Sequence, residues 1–532
     1  MAHPRDPHPA PNARRPTVWT EPAPALPAEW AERALLFCIL MVAGVLRAWD
    51  LRQGLPFILH PDEGSYLLIV QGMLKTGDPN PHFLTYPSFF FYANAALSLA
   101  HYGVGRLMGL WTSVQELPAP TLIAMGVGHT SMPSTILLGR WLSVAAGLGL
   151  VAIAYAIGRR ASGRGAVGLI AAALLALSPS AIQNCRSMTA DPLGILWMAV
   201  TVWAALGILQ RGGWRDYVVA ALAAGLAASS KYNLALSAVA ILIAHLLRWG
   251  PRALLRVELY GAAAVTALAF FAATPYALIE WPTFVAGLRY QANHYSTGHS
   301  GLEGEAARWY LAYLWQSEGP AMVSALAETL RAAVRRDRSL LLIGGFALFY
   351  LVFVSLFTVR NPWTIMPMIP YACVLAASGG DALCRLLTGR PRAVRNALAV
   401  ALVLALLAVP GVQSLQRIAD APSIDSRVAA AQWLATALPA GARVAVESYS
   451  AYLDPARYDV QGLVQFNLHP PEWYVEQGYE YLVCGRGMYG RYYADPARYP
   501  NEVAAYDRLF GAFALLRAFP DPTYEVRVYA VR

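Results

Sequence analysis

Two carboxylates stand side by side in the run His60-Pro61-Asp62-Glu63-Gly64-Ser65-Tyr66, just after the first long apolar segment of the chain. Pro-Asp-Glu-Gly-Ser entering an apolar periodic stretch is an ordinary helix start, but a cap needs only one acidic side chain. The second, and the placing of both at a membrane surface where charge is costly unless used, point to chemistry. A carboxylate here can take the proton of an incoming hydroxyl as general base. Its neighbour could orient it, bind a metal or hold an acceptor.

Other residues of the same kind lie far along the chain. Lys231, one of two lysines in the sequence, and Arg360 are cations at outer helix ends, against the positive-inside bias. They suit a clamp on the phosphate of a lipid-linked leaving group, with snorkelling to lipid phosphate as the plainer role. Arg186 is a weaker phosphate candidate. Asp191, beside Pro192 at the outer end of a span, serves either as a helix cap or as a substrate-binding carboxylate. In the turn-rich stretch 76–88, most residues read as a connection, with His82 and Tyr86 able to face a pocket. His294, His299 and Glu303 leave room for a divalent metal, although their spacing matches no firm motif and a polar loop competes. No other cofactor is implied.

The elements that must position these groups are membrane helices. At 57% hydrophobic and 14% charged, the 532-residue chain is too apolar for a soluble protein of its size. Its apolar runs are separated by short arginine clusters, so the formal charge of +9 reports topology and not a nucleic-acid surface. Residues 1–30, rich in Pro, Ala and Arg, read as a disordered cytoplasmic tail. A retained helix over 34–50 then delivers Asp62 and Glu63 to the outer side. The Arg159, Arg160 and Arg164 cluster reads as cytoplasmic, so the apolar stretch 86–108 must lie along the outer leaflet or dip into it without crossing. That makes 51–135 one large outer loop.

Further spans are expected at 141–157, 165–181, 192–210, 216–229, 233–248, 258–277, 310–333, 339–357, 361–380 and 396–413, with 310–333 imperfect at Glu318 and Pro320. The total is about eleven crossings, in a transmembrane catalytic domain over 31–413. From 414 to 532 charges and tyrosines rise and the pattern predicts a small extracytoplasmic α/β domain. Its helix over 426–438 is capped by Asp425, its strands fall near 443–447, 479–484 and 524–531, and its second helix lies near 501–517. Of the five cysteines, only Cys185 and Cys484 are placed to meet in an oxidising compartment.

His60-Pro61-Asp62-Glu63, followed by Gly77-Asp78-Pro79-Asn80-Pro81-His82 and Tyr86-Pro87-Ser88, resembles the first outer loop of bacterial membrane glycosyltransferases. These are related to protein O-mannosyltransferases and the aminoarabinose transferase of lipid A. The likeness continues through Thr189-Ala190-Asp191, Ser230-Lys231-Tyr232, Thr274-Pro275-Tyr276, His294-Tyr295 and Arg360 ahead of Met366-Pro367. The resemblance implies an all-α polytopic membrane protein of the GT-C type in the bacterial inner membrane, using polyprenyl-phosphate sugars. It would transfer the sugar to a lipid, glycan or protein acceptor. It also implies Asp62 as the catalytic carboxylate and places His60 and Tyr232 among the substrate-binding residues. Asn361-Pro362-Trp363 stands where that family has an aromatic directly after the arginine. The rival reading is a transporter or flippase of a lipid-linked or anionic substrate, with the same charges lining a path through the bilayer.

Overall fold

The computed structural model describes residues 28–386, 389–420 and 424–531. The expected N-terminal tail therefore lies outside the described residues as far as position 27. Helix α1 (Ala28–Ala48) leads into the stretch expected as the outer loop, which holds strand β1 (Phe57–Ile58), helices α2 (Glu63–Thr76) and α3 (Phe89–Leu107), and strands β2 (Thr121–Ala124) and β3 (Val127–His129). The three strands form an antiparallel sheet in the order β1-β3-β2. α2 starts where the sequence predicts and stops at Gly77, whose φ of 72° gives a left-handed cap that a side chain would strain.

A helical body follows: α4 (Pro133–Ser162), α5 (Gly165–Leu177), α6 (Pro179–Asn184), α7 (Asp191–Gln210), α8 (Trp214–Ser230), α9 (Ala238–Trp249), α10 (Val257–Ala273), α11 (Tyr276–Ile279) and α12 (Trp281–Thr297). After it come α13 (Ala306–Glu318), α14 (Pro320–Arg335), α15 (Arg338–Ser355), α16 (Pro362–Ile365), α17 (Ile369–Leu386) and α18 (Arg392–Ala419). Among the described residues five stretches are long and apolar enough to cross a membrane: Pro133–Ser162, Asp191–Gln210, Tyr232–Leu255, Arg338–Ser355 and Arg392–Ala419. Gly165–Leu177 and Val257–Ala273 are shorter apolar helices. The protein is thus a multi-pass membrane protein, with fewer full-length spans than the eleven expected. Part of the reason is local. The expected span 310–333 is broken at Gly319 (φ 58°), directly before Pro320, into α13 and α14, and 361–380 begins with the short α16.

The core of this body is made of small residues. Ala199, Ala204 and Ala205 of α7 and Ala220, Ala221 and Ala224 of α8 are all buried. Gly225 of α8 abuts the Thr266 carbonyl of α10, where a Cβ would come within 2.7 Å. With no hydrophobic drive between helices in lipid, such close backbone approach is what holds them together.

The C-terminal domain contains α19 (Ser426–Ala437), β4 (Arg443–Glu447), β5 (Asp459–Leu463), α20 (Pro471–Glu476), β6 (Tyr481–Gly485), α21 (Arg486–Tyr493), α22 (Pro500–Ala512), β7 (Ala514–Phe519) and β8 (Val526–Ala530). The sheet order is β5-β4-β6-β8-β7, with β4 parallel to β5 and β6, and β8 antiparallel to both neighbours. Asp425 caps α19 through its Oδ1, which accepts from the Arg427 N–H at 2.9 Å. The second helix ends at Ala512, and 514–519 forms an edge strand instead of its continuation. Cys185 and Cys484, the two cysteines that could have met, are buried and free, one beside Gly147 of α4 and the other in β6.

The loop and the C-terminal domain are sewn together. Val127 of β3 sits in the core of the C-terminal domain with Leu434, Val444 and Val446. Gly462 of β5 backs onto the Ile123 carbonyl so closely that a Cβ would stand 1.9 Å from it. The Arg427 guanidinium donates to the Leu59 carbonyl at 3.0 Å, and the Tyr449 N–H donates to the Met125 carbonyl at 2.7 Å.

Candidate active site

A cavity of about 480 Å³ opens where the loop between α1 and α4, the adjoining helix ends and the C-terminal domain meet. Its wall holds His60, Asp62, Tyr86, Asp191, Lys231, His294 and His299 from the residues singled out in sequence. These seven residues come from five stretches spread over more than two hundred positions, and only the tertiary fold collects them.

Asp62 is at the N-cap of α2, yet its side chain makes no capping bond. Among the described residues its carboxylate accepts no hydrogen bond and joins no ion pair. The backbone N–H of Asp62 donates to His60 Nδ1 at 3.2 Å, which fixes the imidazole at the start of α2. A half-buried carboxylate in a cavity wall, free of partners, is available as a proton acceptor.

Glu63 has the opposite fate. It is fully buried and does not line the cavity. Arg140 grips it twice, Nε to Oε1 at 2.8 Å and Nη2 to Oε2 at 2.7 Å, and the Met188 N–H adds a third bond at 2.8 Å. Burial alone would push its carboxyl up, but the Arg140 guanidinium and the further donors hold it below the usual range. The expectation that both neighbours take part in the chemistry gives way here: successive residues at a helix start point to different sides. Arg140 also donates to the carbonyls of Leu51 (2.7 Å) and Gln53 (3.0 Å), locking the start of the outer loop to α4. Sequence reasoning missed Arg140, although a cation expected at an outer helix end was the signal used for Lys231 and Arg360.

Lys231, in extended backbone after α8, donates to Asp191 Oδ1 at 2.8 Å, and both side chains are 13% exposed. Burial would lower the lysine, and the Asp191 carboxylate with the hydroxyls of Tyr295 and Tyr86 more than reverses this, so it stays an ammonium. With three N–H donors and one given to Asp191, it can still hold an anion. Burial pushes the Tyr86 hydroxyl up to about 12 against the pull of Lys231, which keeps it a neutral donor in the same wall. The Thr189 hydroxyl, also in the wall, is buried without a partner among the described residues.

Three expected residues stand elsewhere. His82, in a left-handed turn at φ 47°, is exposed and pairs with Asp78 at 2.9 Å. Tyr232 faces an apolar groove, its hydroxyl donating to the Leu84 carbonyl at 2.8 Å. Arg360 lies against Gly304 outside the lining, and the following Asn361 and Trp363 take the wall positions.

His294 and His299 are in the wall with ring centroids 5.1 Å apart. They do not gather as a metal centre. Arg491 donates to His299 Nε2 at 3.0 Å, placing a positive charge where a cation would bind, and Glu303 accepts instead from the Tyr499 hydroxyl. Among the described residues no three His, Cys, Asp or Glu side chains converge.

Apolar space adjoins the cavity. A smaller hollow of about 230 Å³ shares Thr85, Tyr86, Lys231, Gln291 and Tyr295 with it and continues past Tyr232 and Leu288. From there it meets a groove of about 460 Å³ between α8, α9, α10 and α12, lined by alanines, Ile241, Phe270 and Phe271. Lys231 thus stands where an oily channel meets a polar chamber.

Residues 131–276 match the family model described as dolichyl-phosphate-mannose-protein mannosyltransferase. No curated protein sequence matches the chain. Among solved structures, ArnT from Cupriavidus metallidurans in the apo state aligns over 95% of this chain and 99% of its own, at 15% identity and a TM-score of 0.55. The same protein bound to undecaprenyl phosphate aligns over the same shares at 16% identity and a TM-score of 0.52. The archaeal oligosaccharyltransferase AglB from Archaeoglobus fulgidus, in complex with an inhibitory peptide and a dolichol-phosphate, gives 12% identity and a TM-score of 0.54. There the alignment covers 95% of this chain and 74% of that one. The helical body, the outer loop and the C-terminal sheet together make this chain a multi-pass membrane protein of the GT-C fold.

Proposed function

We propose that the protein is a membrane glycosyltransferase that moves a sugar from a polyprenyl-phosphate donor to an acceptor hydroxyl at the non-cytoplasmic face. One observation carries this reading: the unpartnered Asp62 carboxylate and the Lys231 ammonium share a cavity that an apolar groove enters at Lys231. A long prenyl chain, already in the apolar phase, fits such a groove by packing its methyl branches against the small and aromatic side chains that line it. Undecaprenyl phosphate, present in one ArnT structure, is the natural donor lipid to test.

In the reaction Asp62 takes the proton from the acceptor hydroxyl as its oxygen attacks the anomeric carbon. The bond from that carbon to the phosphate oxygen breaks, and the polyprenyl phosphate leaves with the electron pair. Lys231 stabilises the charge that grows on it, with Tyr86 as a neutral hydrogen-bond donor nearby. Attack from the side opposite the leaving phosphate inverts the anomeric configuration. A retaining route needs a second free carboxylate across the scissile bond, and Asp191 is committed to Lys231. Glu63 acts at one remove, fixing the start of α2 so that Asp62 faces the cavity.

The test uses purified full-length protein with undecaprenyl-phosphate sugars and a panel of hydroxyl acceptors. Asp62→Asn is expected to cut transfer by roughly a hundredfold or more while donor binding persists, the loss typical of removing a general base. Lys231→Met is expected to weaken donor binding. Substrate movement across a vesicle membrane that survives Asp62→Asn, with no transfer by the wild type, would replace this reading with transport.

A further inference from the structure

Tyr449 belongs to the C-terminal domain, yet its side chain forms part of the cavity wall. The chain goes to unusual lengths to put it there. Its φ is 61°, a left-handed conformation that a bulky side chain rarely adopts. Glycines from two parts of the chain clear the space: a Cβ on Gly126 would stand 3.1 Å from the Tyr449 ring, one on Gly485 2.9 Å from its carbonyl, and one on Gly487 2.6 Å from its Cβ. The Tyr449 N–H donates to the Met125 carbonyl at 2.7 Å, and Arg491 packs over the ring at 4.8 Å. Two positions back, Glu447 anchors the end of β4 by accepting from the N–H groups of Phe466 and Gly485 and from the Tyr506 hydroxyl. Backbone strain retained by this many supports marks a side chain whose place matters.

What the ring is for follows from where the lipid goes. The apolar groove reaches the cavity through Tyr86, Lys231 and Tyr295, so the phosphate end of the chamber is accounted for. Met125 and Tyr449 line the cavity but not that groove, and Gln183 and Asn184 share the wall with them, as does Asn361, whose Oδ1 accepts from Thr364 and whose amide N–H groups remain to donate. An aromatic face set among amides that both donate and accept is the chemistry that recognises a hydroxylated ring, whose C–H groups meet the electron-rich face while its hydroxyls pair with the amides.

We propose that Tyr449 is a sugar-ring platform through which the C-terminal domain completes the substrate site. The inference rests on the glycosyltransferase reading and names the ring that would hold either the donor's sugar or a sugar-bearing acceptor.

The strain supplies a clean variant. Tyr449→Gly removes the ring and suits the left-handed backbone, so folding is preserved. Tyr449→Phe keeps the ring. Full-length wild type and both variants are put in lipid nanodiscs. Affinity is measured for undecaprenyl phosphate alone and for the same lipid phosphate carrying glucose, mannose or ribose. Saturation-transfer NMR then follows methyl glucoside and methyl mannoside. The expectation is that Tyr449→Gly binds undecaprenyl phosphate within twofold of wild type but loses at least tenfold for a sugar ring, while Tyr449→Phe stays within about threefold. Loss confined to the sugar-bearing lipid assigns the platform to the donor. Loss confined to the methyl glycosides assigns it to the acceptor. If Tyr449→Gly binds every probe as wild type does, or no probe gains from its sugar in the wild type, the platform is refuted. Failure of the wild type to bind undecaprenyl phosphate at all would instead overturn the glycosyltransferase reading.

Discussion

Each side of the cavity is held by a fully buried carboxylate, and the two are held in opposite ways. On the outer-loop side Glu63 sits next to Asp62 and is met by a guanidinium and one backbone N–H. On the side of the C-terminal domain Glu447 sits two residues before Tyr449 and is met only by neutral donors, two N–H groups and a tyrosine hydroxyl. Burial pushes both up. Arg140 reverses this for Glu63, whereas among the described residues no charged group bonds to Glu447 and Arg491 acts on it only from a distance, so its carboxyl is raised to about 7. The same residue type therefore makes a permanent ionic lock on one wall and a titrating latch on the other.

The largest expected effect breaks the lock. Arg140→Met strands the Glu63 charge in the interior and should cost about 3–5 kcal/mol, the usual penalty for removing one partner of a buried pair. Adding Glu63→Leu should restore much of that stability. Thermal unfolding of the single and double variants checks this, and a double variant no better than the single would mean the pair is not the source of the loss.

Next comes pH. Glu447 titrates near 7 when folded and near 4.5 otherwise, so its contribution is present in full below 4.5 and is lost as pH rises through 7. Over that range the change is on the order of 3 kcal/mol, at about 1.4 kcal/mol per unit. Unfolding curves between pH 5 and 8 should slope accordingly, and Glu447→Gln should flatten them. The Glu63 contribution has the reverse sign: it is present above 4.5 and lost only as pH falls below it. The smallest effect is that of Tyr506→Phe, which removes one donor from Glu447 at about 1–2 kcal/mol. That loss should be larger at pH 8, where the carboxylate is charged, than at pH 5. Equal losses at both would place the titration elsewhere.

Charge expected beside apolar spans was readable from sequence, because it is expensive near lipid and so has to be explained. That is why Asp62, Asp191 and Lys231 stood out and why they meet in one cavity. Side-chain direction was not readable: Glu63 and His82 belong to the same conspicuous segments as Asp62 and Tyr86 but turn away from the chamber. The break between α13 and α14 was visible in Pro320, while β5 and β7 were hidden by Gly462 within the one and by a helix-like run of Ala and Leu in the other. Tyr449 could not have been found at all. Its place depends on a left-handed residue and on glycines more than three hundred positions apart, and one sequence carries no mark of that.

The interlocking of β2 and β3 with the C-terminal sheet changes how a shortened protein must be interpreted. A chain ending after α18 would leave Val127 and Ile123 wet and Leu59 and Met125 without their donors, so the outer loop that presents Asp62 would lose its scaffold too. An inactive truncation would then report collapse of a shared foundation, and the contribution of the C-terminal domain has to be measured by single side-chain exchanges within the intact polypeptide.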